Sequence, residues 1–119
     1  SRLTISDQNI VVTGNISVDE ANLLSATTEG TVTASITTTE SITELKTLTE
    51  TTNAYTIVIS SADATANAAD LSTIAGKTTA TVDAALVTTI SGTYDQITTL
   101  YDLNGVTGLG NESINLNVD

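Results

Sequence analysis

Four times along the chain a run of β-branched residues gives way, within a few positions, to a short segment whose apolar residues stand three and four apart. That recurrence constrains the fold more than any other feature of the sequence. In the clearest copy, Val82, Ala84 and Val87 lead through a Ser91-Gly92-Thr93 turn to a helix carrying Ile97, Leu100 and Tyr101. Ile10 to Ser17 precedes a stripe of Ala21, Leu23 and Leu24, and Thr31 to Thr37 precedes Ile42, Leu45 and Leu48. Tyr55 to Ser60 precedes Ala68, Leu71, Ile74 and Ala75, and Ile114 to Val118 opens a fifth unit. Strand starts near positions 10, 31, 55, 81 and 114 are spaced by 21, 24, 26 and 33 residues, so the surplus falls in the connections.

Helix starts carry residues able to accept bonds from free backbone N–H groups. Ser17-Val18-Asp19-Glu20 and Thr93-Tyr94-Asp95-Gln96 fit the capping box. Thr39 with Glu40, and Asp63 or Thr65 ahead of Ala66 to Ala69, are the corresponding starts in the middle units. Helices of two or three turns are marginal alone, so these caps and a packed face must hold them. Gly30, Asn53, Gly76 and Gly105 read as helix stops, being residue types that tolerate the left-handed conformation.

Strand–helix–strand alternation at this spacing is that of crossovers that leave consecutive strands parallel. Phe, Trp and Met are absent, so the core must be built from Val, Ile, Leu and Ala. Side chains of that size fill thin layers between stacked elements better than the centre of a broad globule. The 26 threonines favour strand, since a β-branched hydroxylated side chain suits a half-exposed pleat. The expected fold is α/β: a right-handed β/α solenoid with a parallel sheet and short helices, a compact open α/β domain being the alternative. The chain reads as one repeat-built domain over 1–119, with units at 10–30, 31–54, 55–80 and 81–113 and partial strands at 1–9 and 114–119. Both ends fall in strand-like runs, Leu3 to Ile5 and Ile114 to Val118, as in a piece of a longer array.

A net charge of −11 repels phosphate backbones and anionic lipid, which argues against nucleic-acid binding and membrane insertion. No apolar run approaches the roughly 20 residues that span a bilayer. Without cysteine there is no disulfide framework and no thiolate metal site.

Catalysis has little to work with, because histidine and cysteine are absent and Lys46 and Lys77 fall in different units. No catalytic residue, enzyme activity or cofactor is expected. Hard oxygen ligands for calcium are the one metal chemistry the composition supports, with Asp63, Asp83, Asp95 and Asp102 as candidates beside Asp70, Asn104 and Asn111. None lies in an EF-hand loop, so surface carboxylates and helix caps are the competing reading. Gly105-Val106-Thr107-Gly108-Leu109-Gly110 lacks the dinucleotide-binding spacing and reads as a wide turn. Alternating Thr31, Thr33, Thr37 and Thr39 read as an ordinary solvent-facing strand surface.

At Thr81-Val-Asp-Ala-Ala-Leu-Val-Thr-Thr-Ile-Ser-Gly-Thr, Gly105-Val-Thr-Gly-Leu-Gly-Asn-Glu and Asn67-Ala-Ala-Asp-Leu-Ser-Thr-Ile the chain resembles Thr/Ala-rich tandem repeats. Such repeats occur in very long secreted or surface proteins of bacteria, cyanobacteria among them. The resemblance covers most of residues 31–119 and implies an adhesin or S-layer-like protein at the cell surface, though this chain carries no calcium repeat of its own. The expected function is a non-catalytic structural or interaction module of a larger secreted bacterial surface protein. Its expected partners are neighbouring repeats of the same chain, other surface proteins or glycans. A calcium- or carbohydrate-dependent adhesion domain is the first alternative and a phage fibre fragment the second.

Overall fold

A computed structural model describes residues 7–117. Along the chain run β1 (Ile10–Ile16), α1 (Val18–Thr27), β2 (Val32–Ile36), α2 (Ile42–Leu45) and β3 (Ala54–Val58). A single 3-10 turn (Ser61–Asp63) leads to β4 (Thr65–Asn67), α3 (Ala68–Ala75), β5 (Val82–Asp83), β6 (Thr89–Gly92), α4 (Tyr94–Asp102), β7 (Val106–Thr107) and β8 (Ser113–Leu116). The fold is α/β, with parallel sheets and short helices.

Among the described residues the strands form two sheets, one ordered β1-β2-β3-β5-β7 and the other β4-β6-β8. Every pairing is parallel, and each strand lies beside the strand of the next unit. Ile10 pairs with Val32, Thr33 with Ala54, Ile57 with Val82 and Val82 with Val106. In the second sheet Ala66 pairs with Ile90 and Ile90 with Ile114. This register stacks side chains into columns, so each apolar rung is covered by its counterpart one unit on.

The core is one continuous cluster of Val, Ile, Leu and Ala together with a single aromatic, Tyr55. Val82, Ala84 and Val87 are all buried, as are Leu45, Leu48, Leu71, Ile74, Ile97 and Leu100. The period-three-and-four reading of the helices therefore finds the packed face in α2, α3 and α4. It fails at Leu23, which is 69% exposed on α1 where Ala21 turns inward, and at Tyr101, which sits at the surface. Close approach explains the glycine at position 30: a Cβ there would sit 2.4 Å from the Gln8 carbonyl oxygen. Gly92, with φ of 150°, lets β6 pass against Ala68 in the neighbouring unit.

Several sequence expectations need correction. Ser91 and Gly92 are strand residues of β6 and not a turn, because they complete the ladder with Asn67 on one side and Leu116 on the other. The glycine-rich stretch after Asn104 holds β7 within what reads as a wide turn, so the fifth unit begins before Ile114. The α2 cap is Ser41, whose hydroxyl accepts from Glu44 N while the Glu44 side chain accepts from Ser41 N, and not Thr39 with Glu40. Asn67 caps α3, displacing Asp63 and Thr65, since the residues ahead of it are drawn into β4. The predicted strand at Leu3 to Ile5 lies outside the described residues.

Candidate functional site

The polar chemistry of the molecule is concentrated along the seam where one unit meets the next. Asn53, 1% exposed, accepts the N–H of Val32 at Oδ1 (2.8 Å) and donates from Nδ2 to Ser25 Oγ and to Tyr55 Oη, both at 3.0 Å. Tyr55 donates from its hydroxyl to the Ala21 carbonyl (3.4 Å), and burial pushes that hydroxyl's pKa above its ordinary value. Thr78 Oγ1 accepts from Tyr55 N and donates to Tyr55 O, both at 2.7 Å. A similar device recurs one unit earlier, where Asn9 Oδ1 accepts from Thr31 N at 2.8 Å. The helix stop expected at Asn53 is thus a bridge between units: its amide joins Ser25 of the preceding unit to Tyr55 of the next and also satisfies the Val32 N–H.

At the other end of the helices, carboxylates reach back across the seam. Glu40 Oε2 accepts from Val18 N at the first residue of α1 (2.8 Å), and Asp63 Oδ2 accepts from Ile42 N at the first residue of α2 (3.0 Å). Negative charge at a helix start also complements the positive end of the helix dipole. Lys46 Nζ lies 3.0 Å from Asp70 Oδ1 and ties α2 to α3. Both groups are about one-third exposed, so solvent screens the pair and its contribution is small.

The calcium candidates do not converge. Asp63 is committed to α2, and Asp83 Oδ1 accepts from Ala85 N (2.9 Å) to close a tight turn. Asp95 stands in the first turn of α4, and Asp102 ends that helix at the surface. Among the described residues no three Asp or Glu side chains gather as a metal-binding group.

Hollows lie beside these features in two places. A polar one of about 410 Å³ lies over the Asn53 network, with Glu29 and Glu50 beside Ser25, Thr28 and Thr52. A smaller one of about 250 Å³ runs between α3 and α4, along Ala69, Ser72, Asp95, Gln96 and Thr99. In the lining of the first, Asn53 and Ser25 are bonded to each other and Thr28 Oγ1 donates to the Gln8 carbonyl, while Glu29 and Glu50 stand exposed.

The last connection is clamped by Glu112. Its carboxylate accepts from Gly110 N and Asn111 N and from the hydroxyl of Tyr101. Partial burial and the adjacent carboxylate push the Tyr101 pKa up to about 12. Burial alone would raise Glu112, but these donors outweigh it and hold its pKa below the usual carboxylate value.

Comparison with family models, with curated proteins and with solved structures finds no match to the chain.

Proposed function

We propose that the chain is a right-handed β/α coil acting as a non-catalytic structural and interaction module of a larger secreted bacterial surface protein. The observation that carries this reading is the strand order: in each sheet the strands follow one another in chain order, β1-β2-β3-β5-β7 and β4-β6-β8, with no point at which the order reverses. An open doubly wound sheet reverses at its centre and binds ligands at that switch point. Here the ladder advances in one direction, and a β-strand–helix–β-strand connection advances with a right-handed sense in nearly all proteins. Principal extents of 54 × 23 × 21 Å accord with units stacked along one axis.

The seam adds support. Asn53, Glu40 and Asp63 spend their polar groups on the neighbouring unit, which is how a scaffold uses side chains that a binding site would keep for its ligand. The Thr/Ala-rich resemblance supplies the surface location and the partners: repeats of the same polypeptide, with other surface proteins or glycans beyond them.

Protease treatment of intact bacteria that express the full polypeptide tests the reading. Peptides of this chain should be released while the cells stay whole. Recovery of the chain only after lysis would refute the surface location.

A further inference from the structure

Of the nine asparagines in the chain only Asn104 is followed by glycine. An asparagine amide can be attacked by the backbone nitrogen of the next residue, closing a five-membered ring, and glycine puts no Cβ in the way of that attack. A fold blocks the reaction by burying the amide or by tying the attacking N–H into a hydrogen bond. Neither block is in place here. Asn104 is exposed in the bend between α4 and β7, its side chain makes no hydrogen bond, and the Gly105 N–H finds no acceptor among the described residues. Nor does the backbone demand a glycine at 105: its φ is not positive, and a Cβ there would stand 3.6 Å from that of Ala75, an ordinary contact. A further unit beyond β7 would leave the pair accessible. The pairing of Val82 with Val106 sets Asn104 opposite Ala80 and Gly105 opposite Thr81, and these residues already have a unit beyond them, yet Thr79 and Thr81 are exposed and Ala80 partly so.

We propose that Asn104 deamidates spontaneously in the folded chain, and that the isoaspartyl linkage it leaves loosens the ladder between β5 and β7. The Gly105 nitrogen bonds to Asn104 Cγ while the Cγ–Nδ2 bond breaks, and the Gly105 proton departs with the amide as ammonia. Water then opens the succinimide at one of its two carbonyls. Opening at the side-chain carbonyl gives aspartate; opening at the backbone carbonyl gives isoaspartate, whose main chain runs through Cβ and Cγ and is one atom longer. Either product consumes one water, releases one ammonia and adds a carboxylate to a chain of net charge −11. The extra backbone atom enters immediately ahead of β7. Gly105 O accepts from Val82 N at 2.6 Å and Thr107 O from Ala84 N at 2.8 Å, and β7 is only two residues long. So short a strand has no length over which to absorb the displacement, and these two bonds lengthen or break. The joints at Thr31, Ala54 and Thr81 carry no Asn-Gly pair and do not age in this way.

Ageing the full chain at mildly alkaline pH, both folded and unfolded in urea, tests this, with peptide mapping by mass spectrometry and enzymatic methylation of isoaspartate as readouts. The folded chain should lose ammonia at Asn104 at a rate within about tenfold of the unfolded chain, because no hydrogen bond of the fold has to open first. Gly105→Ala should keep the circular dichroism of the parent and slow the loss by about tenfold or more, since its Cβ crowds the attack without clashing with Ala75. In aged protein the Val82 and Ala84 amides should exchange about tenfold faster than in fresh protein. Asn104→Asp, measured fresh, adds the charge without the extra backbone atom and should exchange like the parent. An Asn104 that survives in the folded chain while the unfolded chain deamidates overturns the proposal, as does undiminished deamidation in Gly105→Ala. Isoaspartate at position 104 with unchanged exchange at Val82 and Ala84 overturns the loosening, and equal loosening in Asn104→Asp overturns the longer backbone as its cause.

Discussion

Asn53 holds together parts of the chain that lie far apart in sequence, because one amide meets a strand N–H, a helix serine and the only buried aromatic. Replacing it with alanine leaves the buried Val32 N without its partner. Leaving a buried donor unsatisfied costs on the order of 1–3 kcal/mol, and two further bonds go with it, so Asn53→Ala should lower stability by about 3 kcal/mol in urea unfolding. A loss under about 0.5 kcal/mol would mean that water replaces the amide. Tyr101 offers a second test at the same scale. Its folded-state pKa of about 12 lies above the ordinary 10.0, so the protonated phenol's contribution is intact below pH 10.0 and fades as pH rises through about 12. Glu112 acts in the opposite sense: its lowered pKa gives a contribution present above the ordinary 4.5 and lost as pH falls through the folded value. Phenolate absorbance, taken as the difference from Tyr101→Phe, should titrate near 12 and move down towards 10.0 in Glu112→Gln. An unmoved midpoint would show that the carboxylate is not the cause.

Among the elements, α2 depends most on its neighbours. It has only four residues, its own capping box at Ser41 and Glu44, and a further bond from Ile42 N to Asp63 one unit on. A helix of one turn has no stability of its own. Asp63→Ala should therefore cost about 1 kcal/mol, the usual scale for a lost cap, and cost the same in millimolar calcium as in chelator. A calcium-dependent loss would return Asp63 to the role of metal ligand. The capping boxes at Ser17 and Thr93 were legible because both partners lie within four residues. Asp63, Glu40 and Asn53 were not, since their partners lie 21 or 22 residues away and nothing local marks a side chain that serves another unit. Asn9 and Asn53 did carry a faint signal, each standing immediately before a strand.

For the molecule as a whole, parallel strands alternating with short helices could be read from the period of β-branched runs. The splitting of each later unit across two sheets could not. β5, β6 and β7 have two to four residues apiece and gain their strand character from the ladder on either side, a tertiary influence that propensity does not record. Val82 tests the stacking directly, lying fully buried between Ile57 and Val106. Val82→Asp places an unpaired carboxylate in that column and should cost several kcal/mol, comparable with the 5–15 kcal/mol that holds a typical domain folded. Its melting transition should fall steeply or vanish, and a variant that melts like the parent would show that Val82 does not face the core.

The register has a further consequence for how the chain reaches this state. No strand pairing among the described residues joins positions more than 25 apart. Closing a loop of that size carries a modest entropic cost, and each closure leaves a new template for the next. A chain emerging from a ribosome could then pair its strands one after another, without waiting for its far end.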